Sequence, residues 1–256
     1  MMKKNFAILF FIFLAQSSLA FAAKKSSFEE DEYELYEQSF SQKNEQKIYD
    51  PLEKINRKVF YINDFVDIHL TEPVAKGYRS YVPKFFRTSI RNFLINLSLP
   101  ISAGNSFLQG KVNNGLATTS HFIINSTVGI GGIFNIAEKK KIYYQREDFG
   151  QTLGHYGASP GPFLILPLFG PSTVRDATGL AADTSVSFMG LNALKIGGSR
   201  ESIIEDDVRV GYIIVSGVDK REDLLDVISD ARKNSFDIYA AMRSLYIQNR
   251  NSKIKE

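Results

Sequence analysis

Cysteine is absent from all 256 residues, which excludes disulfides and thiolate metal centres together. Histidine is nearly absent as well. His69, His121 and His155 stand far apart and offer neither an HExxH run nor a paired-ligand spacing, so no metal site and no metal cofactor is expected. A surplus of one charge is also missing. Thirty-one Lys and Arg against 28 Asp and Glu leave a net charge of +3, and no basic run is interleaved with stacking aromatics, which excludes a nucleic-acid partner. The 44% hydrophobic and 23% charged composition is that of a globular chain, and its length suits one main core.

The densest signal runs from Glu147 to Asp183, where Gly and Pro punctuate an almost unbroken apolar run from Phe163 to Phe169. A solvated loop would not be this apolar, and a helix or central strand would not tolerate Pro167, so Phe163 to Leu166 reads as a short or edge strand. Gly150, Gly154, Gly157 and Gly161 are expected to permit unusual turns. Gly157 to Gly161 also matches G-x-S-x-G, with His155 and Asp176 nearby. The residue after Ser159 would have to donate its N–H to an oxyanion, and Pro160 has none. The Ser-Asp-His order of that fold fails too, so no catalytic residue is assigned. Arg175-Asp176 fits either a charged pair facing a polar lipid head or passage, or a local ion pair fixing the loop. Tyr156 and Phe163 either line an apolar path or pack in the core.

Lys3 and Lys4, the apolar run Phe6 to Ala15 and the Ala20-Phe21-Ala22 sequence make residues 1–22 a signal peptide, the apolar run being shorter than the roughly 20 residues that cross a bilayer. Residues 23–49, rich in Glu, Gln, Lys and Ser, read as a flexible acidic tether. The folded domain is set at 50–250, with a tail at 251–256.

Asp50-Pro51 predicts a capped helix start, with Leu52, Ile55, Val59, Phe60 and Ile62 to Val66 on an apolar face and an end near Leu70. Thr71 is expected to cap a second helix that stops at Val82-Pro83. A third helix carries Phe85, Phe86, Ile90, Phe93, Leu94 and Leu97 on one face and Lys84, Arg87 and Arg91 on another. That division fits a helix lying in a membrane interface, and it also fits an ordinary helix on a protein core. A fourth follows Asn113, with Leu116, Phe122, Ile123 and Val128 inward, and stops at Gly129 to Gly132, a cluster without the spacing of a dinucleotide fingerprint. Further helices are predicted at Ser202 to Val215, Asp219 to Ala231 and Ser235 to Asn249.

Several blocks together resemble the MlaA (VacJ) family of Gram-negative outer-membrane phospholipid transport proteins. They are DPLEKINRKVFYIND from Asp50, EPVAKGYRSYVP from Glu72, NSFLQGK from Asn105, NSTVGIGGIFNIA from Asn125, FGQTLGHYG and GPFLILPLFGPSTVRDATG from Phe149 onward, and DIYAAMRSLYIQNR from Asp237. The resemblance implies a mainly α-helical, ring-shaped protein of amphipathic helices around a central channel, with a Gly/Pro-rich hairpin beside it. It implies a place in the periplasmic leaflet of the outer membrane, a trimeric porin partner, and withdrawal of misplaced phospholipid from the outer leaflet for delivery to a periplasmic lipid carrier. No catalysis and no cofactor are implied.

On that footing Phe149, Leu153, Gly154, Tyr156, Gly157, Gly161, Phe163, Leu166, Arg175 and Asp176 are the candidates for lipid passage or its gate. Leu52, Ile55, Val59, Phe60, Phe85, Phe86 and Phe93 are those for the membrane interface. The chain departs from the family in lacking the acylated cysteine of a lipoprotein, which leaves amphipathic helices and a porin, or an uncleaved N-terminus, to hold it at the membrane. His121 and Asn135 stand where Arg and Asp are more usual. A membrane-associated scaffold or surface adhesin without lipid transfer is the alternative reading.

Overall fold

The computed structural model describes residues 49–193 and 206–255. The expected signal peptide, the tether through residue 48 and the first residues of the helix predicted from Ser202 lie outside them. Within the described residues the chain is mainly α. Helix α1 (Glu53–Val66) passes through a π-helical turn (Asp67–Thr71) straight into α2 (Glu72–Tyr81). The expected break near Leu70 is therefore a wide turn rather than a stop. Thr71 is itself helical and caps nothing; its hydroxyl bonds back to Asp67 within the π turn.

Asp50 likewise does not cap α1, whose N-cap is Leu52. Its carboxylate is taken by Asn56 at 2.9 Å, by Arg243 at 2.8 Å and by the Tyr239 hydroxyl, so distant ionic partners outcompete the local cap. Val82-Pro83 ends α2 as expected, with Val82 extended. Helix α3 (Lys84–Leu108) then runs through Pro100 and packs along α4 (Val112–Thr127). Both helices bury polar and small residues, Asn96, Ser102, Asn105 and Ser106 on α3 and Gly115, Thr118, His121 and Asn125 on α4, and Asn96 bonds Ser126 and Asn114 bonds Ser106 across the seam. Leu116, Ile123 and Val128, expected inward, are exposed, because the small and polar residues take the packed face.

A glycine-rich turn ends α4, with Gly131 and Gly132 at φ 67 and 95. Short α5 (Ile136–Lys139) and α6 (Phe149–His155) follow, the latter opened by a capping box in which Asp148 and Gln151 satisfy each other's backbone N–H groups at 2.8 Å. Strands β1 (Phe163–Leu166) and β2 (Gly170–Thr173) form an antiparallel hairpin, Phe163 opposite Thr173 and Leu166 opposite Gly170. The chain continues as α7 (Val174–Ala193), α8 (Asp206–Asp223), α9 (Leu225–Asn234) and α10 (Ile238–Lys255). Helix α10 extends through residues 251–255, which the sequence reads as a tail.

The distribution of polarity is the reverse of a water-soluble bundle. A compact aromatic core of Phe60, Phe163, Ile165 and Tyr239 joins α1, the hairpin and α10. Elsewhere the buried residues are dominated by polar and charged groups, while Ile55, Ile62, Phe65, Phe85, Phe86, Phe93 and Leu97 are exposed. Helix α3 shows why. Arg87 and Arg91 turn inward onto α8, where Asp219 and Glu222 are buried, and this forces the aromatic stripe outward.

Candidate functional site

Helix α1, the π turn, the hairpin tip, α8, α9 and α10 surround a cleft of about 200 Å³. Part of its lining is polar and ionic: Asn63, Asp64, Asp67, Thr71, Arg221 and Arg232. The rest is largely apolar, with Leu168, Phe169, Ile214, Val218, Ile228 and Met242. The polar part is built by helical spacing, since Asp64, Asp67 and Thr71 fall at i, i+3 and i+7, as a helix face requires.

Arg221 grips Asp67 with two bonds, 2.6 Å from Nε and 2.8 Å from Nη2. Arg232 bridges Asp64 at 2.6 Å, Asp67 at 2.7 Å and Glu72 at 2.5 Å. Burial pushes the Asp67 carboxyl up, but Arg221, Thr71 and Arg232 outweigh it and hold it below the ordinary aspartate value. The Arg221 Nη1, also buried, has no partner. The cleft thus joins apolar surface to fixed charges with one cationic donor to spare.

The hairpin is held against α1 by two asparagines two turns apart. Asn56 donates to the Phe163 carbonyl at 3.0 Å and accepts from Ile165 N–H at 2.9 Å. Asn63 donates to the Leu166 carbonyl at 2.9 Å and accepts from Leu168 N–H at 2.8 Å. Each carboxamide stands in for a residue of a neighbouring strand along the open edge of β1. Leu168, at the tip, is left-handed with φ 66, and Gly170 follows at φ 80.

The ten passage candidates lie behind this tip. Phe163 is buried in the aromatic core, and Leu166 is half-buried with its carbonyl on Asn63. Arg175 and Asp176 are buried in an ionic cluster: Asp176 accepts from Arg250 at 2.8 Å, Arg175 at 3.1 Å and Tyr246 at 2.6 Å. Gly157 and Gly161 take positive φ, 85 and 68. Gly150 and Gly154 make no turn; they sit inside α6, where a Cβ would come within 2.6 Å of Arg250 and 2.8 Å of Ile254 respectively. Phe149 and Leu153 are half-buried, while Tyr156 is exposed with its hydroxyl donating to the Leu108 carbonyl. The hydrolase constellation is not assembled: His155 is exposed with its ring edge-on to Tyr156, and both Asp176 oxygens are engaged by Arg175, Arg250 and Tyr246.

Of the interface candidates, Leu52, Ile55, Phe85, Phe86 and Phe93 are exposed. Phe60 is buried at the floor of the cleft, and Val59 packs with it. His121 and Asn135 serve the scaffold. His121 is buried with Nε2 on the Ile142 carbonyl, and Asn135 caps α5 through Glu138 N–H.

The fold is thus a mainly α-helical body, apolar on its outer faces, with an amphipathic cleft. Residues 48–253 match the sequence profile of the family described as MlaA lipoprotein, and the chain belongs to that family. It is 34% identical over 203 residues to the "Intermembrane phospholipid transport system lipoprotein MlaA" of Escherichia coli K12, covering 78% of this chain and 76% of that protein. A protein of Rickettsia felis described as "Uncharacterized protein" is 34% identical over 209 residues, 82% of this chain and 79% of its own. Among solved structures, one described as "Structural basis for maintenance of bacterial outer membrane lipid asymmetry" superposes with a TM-score of 0.68 at 34% identity, covering 80% of this chain and 98% of that one.

Proposed function

We propose that this protein transports phospholipid without chemistry, withdrawing misplaced lipid from the outer leaflet of the outer membrane and passing it to a periplasmic carrier, with a trimeric porin setting its depth. The observation that carries the reading is the reversal of polarity. Aromatic and aliphatic side chains face out, and fixed ion pairs line a cleft together with apolar side chains. A phospholipid head dragged unaccompanied through hydrocarbon costs several kcal/mol or more. A charged lining inside an apolar shell lowers that cost while the acyl chains follow the apolar part. No described helix is long and apolar enough to cross a membrane. The exposed faces of α1 and α3 suit a helix set into one leaflet instead.

The cleft, at about 200 Å³, is smaller than the roughly 300–1,000 Å³ of a site that encloses a drug-sized ligand. A whole lipid therefore passes only if the lining moves, and in this reading the moving part is the hairpin tip, which Asn63 ties to α1. In this reading Gly157, Gly161, Phe163, Arg175 and Asp176 act by fixing the base of that hairpin. The test is the outer leaflet of cells lacking the protein, together with lipid carried by purified protein inserted with a porin. Surface phospholipid that stays at the normal level in such cells removes the reading. Ser159→Ala is expected to leave transport intact, since transport breaks no bond.

A further inference from the structure

Helix α8 carries a lysine with no counterpart. Lys220 is 9% exposed, and its Nζ is buried without a hydrogen-bond partner. The acids beside it are engaged elsewhere: Asp219 and Asp223 with Arg91, and Glu222 with Arg79, Arg87 and Arg91. From other elements the charges acting on it are Arg146, before α6, and Lys253, in the last turn of α10, and both are positive. Burial, reinforced by those two cations against the one acid Asp223, holds the amine well below its ordinary value.

A buried amine without a partner is costly for the protein alone. An uncompensated buried charge destabilises a fold strongly, and an apolar side chain of similar length would fill the space without that cost. The position matters as much as the charge. Gly217 and Leu224, which line the cleft, are three residues before and four after Lys220, so it stands in the adjoining row of α8.

We propose that Lys220 binds a phosphate group beside the cleft. The phosphodiester of a phospholipid head is the form met during transport, and for that source the inference rests on the transport reading. An ammonium that reaches a phosphate gains charge-assisted hydrogen bonds, and the anion supplies the acceptor that the chain does not.

The test uses the full chain, delipidated in detergent and titrated separately with dispersed phosphatidylglycerol and with inorganic phosphate. Lys220→Met is expected to weaken phospholipid binding about 10- to 100-fold, and Lys220→Arg to hold it within a few-fold. The methionine variant, freed of a buried unpaired amine, should melt at or above the parent temperature without lipid, so weaker binding there is not unfolding. Lipid displaced by inorganic phosphate supports a site for the phosphate group itself. Lysine-dependent lipid binding that phosphate does not displace supports a site for the lipid head. Phosphate bound through Lys220 with no lipid bound keeps the anion site and overturns transport. Lipid bound equally by parent and Lys220→Met overturns the site and leaves transport standing, and binding of neither ligand overturns both.

Discussion

The Leu168 backbone, left-handed at φ 66, donates its N–H to the Asn63 carboxamide oxygen at 2.8 Å. A leucine in that conformation carries about 1–2 kcal/mol of steric cost, and the asparagine two helical turns beyond Asn56 is what offsets it. Hairpin and helix are thus joined by a bond that is local on neither side.

Asn63→Ala should release the tip. Two hydrogen bonds are lost, worth about 1–3 kcal/mol together, and hydrogen exchange at Leu168 is expected to speed by about 5- to 150-fold, the same free energies converted. Asn63→Asp keeps the acceptor for Leu168 but not the donor for Leu166, and should fall between. Unchanged exchange at the tip in Asn63→Ala would show that Phe169 and Pro171 hold the hairpin without it.

Asp176 should make the protein acid-sensitive. Burial raises its carboxyl pKa, but Arg250, Tyr246 and Arg175 outweigh that and hold it at about 2. A carboxylate whose folded pKa is depressed stabilises fully above its unfolded value, near 4, and that stability is lost as pH falls toward 2. Asp176→Asn, which leaves Arg250 and Arg175 buried with a neutral partner, is expected to cost about 3 kcal/mol at neutral pH and to flatten the melting profile between pH 4 and 2. A variant that loses stability over that window as steeply as the parent would remove Asp176 as the source.

Two glycine substitutions should part company. Gly179→Ala places a Cβ 2.2 Å from the Gly150 backbone nitrogen, so α6 and α7 must separate and the variant should fail to fold or melt far below the parent. Gly104→Ala, on α3 with nothing within 4 Å, should be neutral or stabilising by about 0.5–1 kcal/mol. Melting temperatures decide it, and similar values for both would mean that the α6–α7 approach is looser than 2.2 Å implies.

The exposed aromatics give a third contrast. Phe85→Ser and Phe86→Ser remove side chains 61% and 57% exposed, so the fold should survive with little change in melting. Binding to phospholipid vesicles should weaken by roughly tenfold for each, the partial burial of a phenyl ring. Phe60→Ala, in the core, should do the opposite, costing about 3–5 kcal/mol in stability. Vesicle binding unaffected by both serines would assign α3 to a protein partner instead.

The helical class, the stop at Val82-Pro83, the glycine turn after α4 and the strand at Phe163 to Leu166 were legible because punctuation and periodicity act locally. The inward and outward faces of α4 were not. Their prediction assumed that apolar residues seek a core, and here Thr118, His121 and Asn125 take the packed face while Leu116, Ile123 and Val128 are exposed. The missing cap at Asp50 is not legible locally, because Arg243 and Tyr239, which take its carboxylate, lie almost two hundred residues away in sequence. Asn56 and Asn63 carry a signal that could have been found: two carboxamides seven apart on one face of an otherwise apolar and charged helix. The ion pairs of Arg221 and Arg232 leave no trace in sequence, because their partners sit on α1 and the π turn.

The contact of Gly150 with Gly179 has a mechanical consequence. It pins the helix before the hairpin to the helix after it, backbone against backbone, so the segment between them is a clip closed at its root. Any opening at Leu168 would then be a bending of the far end, with the two arms keeping their bearing on each other.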